Sequence, residues 1–368
     1  MRFPRFRPVL RAVLLPLLCA FLLFAPPWLL RGLSRDYIHA VFEPEPIQWR
    51  GKLELWHIVG FRTYQGSVTN HLSERTAAFS RQHPGVFIEV TGLTVEQFAE
   101  RYARGERPDL YSFPNGLLYR EQLRALPLDP PALRSGLSAA AADGEILAVP
   151  YLMSGYFLLI NGQRPYLSGG RAPSSPEEAD LQTALQAGEL AVPPVPGAQL
   201  GLTGTASTDS AAAEAAFRKG KLSYLVADAR ALGDLNRAAD GNLLLSALPM
   251  AGYTDQVQFL AAAAGTDDQR CAIAAELILF LLAPAEQERL AALGAMPVAD
   301  GIKAVYSEPL LAGWNEAFAD HPAGVPDAFL YQRHREALVQ DALRAMAGEA
   351  GASDAFSERL AVVLGGQD

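Results

Sequence analysis

Aromatic and polar side chains recur where apolar runs break off. In GKLELWHIVGFRTYQG, residues 51 to 66, an alternating run through Leu53 and Leu55 closes on Trp56 and His57. It then passes Gly60 and opens into Phe61, Arg62 and Tyr64 before helical sequence begins. Phe113, Tyr151, Tyr156 and Tyr253 mark other such junctions. Aromatic faces stack on sugar rings and other flat apolar surfaces, while neighbouring Asn, Asp and Arg satisfy hydroxyls or charges. The chemistry these residues suit is non-covalent capture of a small ligand. The same aromatics could equally pack as core at the sheet ends, and the sequence leaves both readings open. Trp56, inside its run, reads as core.

Covalent chemistry has no comparable signal. LMSGY (152–156) lacks the first Gly of a nucleophile elbow, no H-E-x-x-H occurs, and RKGKLS (218–223) lacks the spacing of a phosphate loop. The six His are scattered, and QRHRE around His334 reads as a solvated helix face. The two Cys are Cys19, in an apolar leader, and Cys271, opening an apolar helix. They suit neither a disulfide nor zinc, and Cys271 reads as a small buried residue. No enzyme activity, catalytic residue, metal or cofactor is expected.

The elements that must position the aromatics alternate. Strand sequence at 52–56, 86–90 (VFIEV) and 108–113 (PDLYSF) is followed each time by helical sequence: first Val68, Leu72 and Phe79 on one face, then Val95, Phe98, Ala99 and Tyr102, then residues 117–126. That order predicts an α/β fold with a parallel sheet, and ligands sit at the carboxyl edge of such sheets. GEILAVPY and GYFLLIN, within 144–161, read as paired strands. Residues 162–210 are loose and rich in Gly, Pro and Ser, with one short helix. Strands at 221–227, 242–250 and 257–265 and helices at 211–219, 228–239 and 272–282 follow, and the last seventy residues read as mostly helical.

Length and charge bound the rest. At 368 residues two lobes are expected. Residues 1–50 hold seven Arg and three acids, leaving 24 basic and 37 acidic residues, a balance of −13, on the remainder. Such a body does not suit nucleic acid, which needs clustered Lys and Arg. Arg2, Arg5, Arg7 and Arg11 precede nineteen uncharged residues, 12–30. About 20 apolar residues span a bilayer, and a basic flank keeps the N-terminus inside. Cys19 follows Leu18 where a lipoprotein site wants a small residue, and Pro26-Pro27 follow Ala25 at once. Residues 1–32 are therefore expected to be an anchor left in place, with 33–50 as a spacer and the rest outside the cytoplasm.

Taken in order, these landmarks resemble the extracellular solute-binding proteins of ABC importers, the maltose-binding-protein-like sugar binders. The resemblance rests on LELWHIVG, on FSRQHPGVFIEV, on PDLYSF, and most specifically on GEILAVPYLMSGYFLLIN. AAFRKGKLSYLVADARALGDL and LPMAGYTDQVQFLAAAAG extend it, so that it covers roughly residues 51–300. It implies a two-lobe fold of the type II periplasmic-binding class, each lobe a mostly parallel sheet flanked by helices. The N-lobe would take 51–143 and 255–297, and a reduced C-lobe 144–254 and 298–368. It further implies a monomer that captures a carbohydrate-like solute between the lobes and passes it to ABC permease subunits. His57 to Tyr64 would line the N-lobe side of the cleft, with Gly60 letting backbone approach ligand. Asn115 would meet ligand from the third strand's loop, and Tyr151 and Tyr156 from the other lobe.

Two departures from the family pattern shape the expectation. Where the family offers a Gly-Pro-Trp turn whose Trp stacks on sugar, ADARALGD places Arg230 beside Asp228. A guanidinium pairs carboxylate or phosphate as well as stacking, so a polar or anionic solute is expected. The stretch 162–210 is shorter than the family's and lacks its Trp-bearing helix. A shrunken C-lobe on an anchor also fits an accessory or sensory module that has lost high-affinity transport function.

Overall fold

A computed structural model describes residues 49–163, 173–238, 244–250, 252–311, 313–314, 317–318 and 324–365. The expected anchor and all of the spacer but Trp49 and Arg50 lie outside them. Among the described residues no helix is long and apolar enough to cross a membrane.

Leu53 and Leu55 bury one face of β1 (Gly51–Ile58). In α1 (Val68–Gln82) Val68, Leu72, Thr76 and Phe79 share the buried stripe that a 3.6-residue period demands, and the Ser67 side chain accepts from the Asn70 N–H as its cap. β2 (Val86–Leu93) leads to α2 (Val95–Ala103), opened by a reciprocal Thr94–Gln97 capping box, and then to β3 (Leu110–Pro114). β1 lies parallel between β2 and β3, as the alternation predicts. Trp56 is core: its ring meets Phe98 and Tyr111 edge-on at 6.4 Å each.

The expected third helix over 117–126 does not form. A single 3₁₀ turn (Arg120–Gln122) precedes β4 (Leu123–Arg124). Main-chain pairing of Leu123 and Arg124 with Ala263 and Ala262 outcompetes local helix propensity. β5 (Ala140–Ala142), β6 (Glu145–Met153) and β7 (Tyr156–Asn161) follow. The loose stretch is more ordered than its composition suggests, with α3 (Leu181–Gln186), β8 (Leu190–Ala191) and α4 (Pro194–Gln199). Next come α5 (Ser210–Arg218), β9 (Tyr224–Asp228), α6 (Ala229–Ala238), β10 (Leu245–Met250) and β11 (Val257–Ala263). The chain closes with α7 (Asp268–Leu282), α8 (Pro284–Glu288), α9 (Ala328–Met346) and α10 (Ala352–Val363). Cys271 is buried on α7, its thiol 3.3 Å from the Ala125 carbonyl.

β6 and β7 do not pair with each other. β6 joins β5 and β11 in a seven-stranded sheet ordered β2-β1-β3-β11-β6-β5, with β4 on β11, while β7 sits between β10 and β9 in a four-stranded sheet that ends in β8. Both strands are nearly continuous apolar runs, the pattern of strands buried on both faces, so each takes an interior place in a different sheet. The chain therefore changes sheet at Ser154–Gly155. Pairing is mixed and not mostly parallel: β11 is antiparallel to β3 and β6, and β7 to β9 and β10. The second sheet buries Leu158, Ile160, Tyr224 and Val226 against Leu181 and Leu185 of α3. Leu338, Ala342, Phe356 and Val363 close α9 on α10.

Candidate functional site

The carboxyl ends of β1 and β2 and the start of α1 enclose a pocket of about 460 Å³, lined by His57, Phe61, Arg62 and the Gly66–Thr69 turn. His57 forms its floor and is 2% exposed. Its Nδ1 lies 2.9 Å from Ser112 Oγ, which lies 2.9 Å from the Tyr151 hydroxyl. Gln258 Nε2 donates to Ser112 Oγ at 3.1 Å and to the Ile58 carbonyl at 3.0 Å. Ser112 Oγ thus accepts from Gln258 and bridges His57 Nδ1 and the Tyr151 hydroxyl in one buried chain. Burial lowers the His57 pKa to about 4, so the imidazole is neutral.

A second pocket, about 510 Å³, opens at the carboxyl ends of β8 and β9, between α5, α6 and α9. Pro193, Pro194 and Val339 supply apolar wall, and Tyr156, Glu214 and Gln256 polar edge. Asp228 and Arg230 face it together with Arg335. Asp228 also caps α6, accepting from the Ala231 N–H at 2.8 Å, and burial pushes its pKa up. Burial raises Glu214 too, with the Asp228 charge adding to it. Arg230 is not a free cation: its Nε lies 3.2 Å from Asp234 one turn on. The two pockets share no lining residue.

Direct contacts tie elements of the two sheets together. Tyr64 donates its hydroxyl to Glu308 at 2.9 Å and accepts from Asn236 of α6 at 2.7 Å, while Arg237 reaches the Tyr64 carbonyl at 3.0 Å. Gly233 makes this approach possible, since a Cβ there would sit 2.1 Å from the same carbonyl oxygen. Elsewhere Asp255 accepts from Tyr156 at 3.1 Å and from Tyr331 at 2.6 Å, and Tyr253 donates to Tyr331 at 3.2 Å. Burial is the main cause raising the pKa of all three tyrosines, so each is a neutral donor.

The expected site residues therefore divide. His57, Phe61 and Arg62 meet in the first pocket, and Tyr156, Asp228 and Arg230 in the second. Tyr64 is engaged with α6 and Glu308. Phe113 is core, its ring 5.8 Å from Phe259. Tyr151 and Tyr253 are buried, and Asn115 donates to the Pro326 carbonyl at 2.9 Å. A Cβ at Gly60 would meet Pro114 at 2.1 Å, so the glycine there admits the end of β3. Sequence reasoning missed Ser112, Glu214, Gln256 and Gln258. Gln258 left a signal, a lone amide in the apolar run VQFLAAAA. Asn236 and Glu308 left none, because their partner Tyr64 is far away in the chain. Among the described residues no group of His, Cys, Asp and Glu is placed to hold a metal ion.

No protein-family model and no curated protein sequence matches the chain. Solved structures do. The cyclic α-maltosyl-1,6-maltose binding protein from Arthrobacter globiformis superposes with a TM-score of 0.61 at 18% identity, over 86% of this chain and 99% of its own. The sugar-binding protein MalE from the phytopathogen Xanthomonas citri gives 0.58 at 15%, over 85% and 96%. The maltose-maltodextrin binding protein of Alicyclobacillus acidocaldarius gives 0.57 at 13%, over 84% and 100%. At these identities the likeness establishes the fold, the two-domain α/β fold of sugar-binding proteins.

Proposed function

We propose that the chain is the extracytoplasmic substrate-binding component of an ABC importer, taking up a small carbohydrate-like solute and delivering it to a permease. One observation carries the reading: in a solute-binding fold, two separate pockets open at the carboxyl edges of the two sheets, each with aromatic or apolar wall and hydrogen-bonding rim. The lobes of this reading are 51–143 with 255–297, and 144–254 with 298–368, except that β5 and β6 (140–153) pair within the larger sheet, so 144–153 goes with the first lobe. The second pocket supports a hydroxyl-rich ligand. Glu214 and Asp228 face Arg230 and Arg335, balanced charges that bond hydroxyls without demanding a charged guest. No covalent step is needed. Ligand contacts from both lobes stabilise the closed state by differential affinity, and a permease would recognise that state.

A thermal-shift screen with maltodextrins, neutral sugars and sugar acids tests this. A ligand present at a hundred times its Kd stabilises the folded state by about 2.7 kcal/mol, visible as a raised Tm. No shift with any sugar would overturn transport.

The Tyr64 contacts favour a second reading, a membrane-tethered accessory or sensory module. They hold α6 against the β1–α1 junction with protein groups alone. Gly233→Ala tests how hard these parts press. In a helix interior that exchange normally gains up to about 1 kcal/mol. Here overpacking against the Tyr64 carbonyl is expected to reverse the sign, at a cost of about 1–3 kcal/mol in denaturant unfolding. Sugar binding that appears only in this variant would favour the latched module; binding by the unaltered chain would favour capture.

A further inference from the structure

Gln256 lines the second pocket beside Tyr156, just before β11 begins. The residue is 7% exposed and its main chain is engaged: the N–H donates to Thr254 Oγ1 at 3.1 Å, and the carbonyl accepts from the Ser154 N–H at 2.8 Å. What it offers the pocket is its carboxamide. The surrounding hydrogen bonds fix which way that group points. Tyr156 donates its proton to Asp255 at 3.1 Å, so the tyrosine oxygen has only lone pairs left to offer. Burial raises the Tyr156 pKa, and the Gln256 side chain, donating to that oxygen, opposes the rise. The amide nitrogen is therefore the end turned to Tyr156, and Oε1 is the end left over.

Oε1 is buried, and no described group donates to it. Nearly every buried acceptor has a partner, and one left bare costs more than a made hydrogen bond returns. The rest of the pocket narrows what that partner can be. Glu214 and Asp228 stand against Arg230 and Arg335, so no surplus charge calls for an ion, and Pro193, Pro194 and Val339 turn apolar wall to a guest. A carboxylate or an ether has no proton to give. A hydroxyl is neutral, brings a proton, and belongs on a guest that also touches apolar wall.

We propose that Gln256 is a specificity-determining residue of this pocket: its Oε1 accepts the proton of one sugar hydroxyl, so that a ligand carrying hydrogen or an ether at that carbon is rejected. The assignment rests on the solute-capture reading and deepens it, from a hydroxyl-rich solute to one that must be unsubstituted at a single position.

Isothermal titration of the whole chain with glucose, galactose and maltose, each beside its monodeoxy analogues, and with glucosamine tests it. For a sugar that binds, loss of one particular hydroxyl is expected to weaken binding by about 5- to 150-fold, the range for a buried polar group left without its partner. Gln256→Leu, apolar and without an acceptor, should bind the sugar and that deoxy analogue within about 3-fold of each other, so that the penalty belongs to the pair and not to either alone. Because this variant also gives up the bond to Tyr156, the glutamine is read in the unaltered chain as well. Its carboxamide carbon resonance should move when the sugar is added and stay put with the deoxy analogue. No penalty at any position, a penalty that survives Gln256→Leu, or an unmoved Gln256 resonance would overturn the assignment and leave solute capture standing. Glucosamine binding more tightly than glucose would overturn the hydroxyl as the partner. If none of the three sugars binds, the assignment falls, and solute capture falls with it only when the thermal-shift screen is blank too.

Discussion

Phe113→Ala is expected to lower folding stability by about 3–5 kcal/mol, the cost of truncating a fully buried phenylalanine, and to leave the ligand affinity of the folded molecule unchanged. Phe113 is 1% exposed, stands on β3 directly opposite Phe259 of β11, and stacks with it at 5.8 Å. The sequence places Phe113 at a strand end where an aromatic can face a ligand, and a ligand-stacking role predicts the reverse: affinity lost, stability kept. Denaturant unfolding and a binding titration on the same variant separate the two. β3 and β11 are neighbours in the centre of the larger sheet, so a cavity there has rigid walls on both sides and cannot collapse cheaply. A variant as stable as the parent would mean that Phe113 does not pack as described.

His57 is expected to make stability fall by about 3 kcal/mol between pH 7 and pH 4. The folded protein holds its pKa at about 4 because burial penalises the charged form, against 6.5 for the free side chain. The unfolded chain thus takes up a proton below pH 6.5 that the folded chain refuses until about pH 4. The stabilising difference is complete above the upper value, shrinks as pH falls through the window, and is constant below it. Carboxylates and His71, whose pKa burial also lowers, add their own slopes. The measurement is therefore the difference in stability between the parent and His57→Gln across pH 7 to 4. The Gln amide can pair with Ser112 as donor or as acceptor, and any fixed loss of bonding offsets the curve without tilting it. A difference that stays flat with pH would show that His57 takes up its proton at the same pH in the fold as in the unfolded chain.

Much of the fold is legible because it is local. Val68, Leu72 and Phe79 announce the buried face of α1, Val95, Phe98, Ala99 and Tyr102 announce α2, and VFIEV announces β2. These signals lie within a few residues of what they specify. The same local logic fails at 117–126, where periodicity favours helix and a distant strand supplies better partners. It fails again at Ser154–Gly155. There two adjacent apolar runs look like a hairpin, yet each finds its neighbours in a different sheet.

The candidate site divides along the same line. Residue type and strand period are written in the chain, and they put Phe61, Arg62, Tyr156, Asp228 and Arg230 at or just beyond strand ends. Which strand-end groups face open space is settled by packing between elements distant in the chain. Tyr64 is engaged by Asn236 and Glu308, Asn115 by the Pro326 carbonyl, and Tyr151 by Ser112, each partner far off in the chain. No described carboxylate pairs with Arg62 beside the start of α1, while Arg230 is answered by Asp234. Period and capping are fixed by neighbours along the backbone. Asp234 lies one turn from Arg230, but for Tyr64, Asn115 and Tyr151 what folding brings opposite the group decides whether it is spent, and no local window of sequence contains that partner.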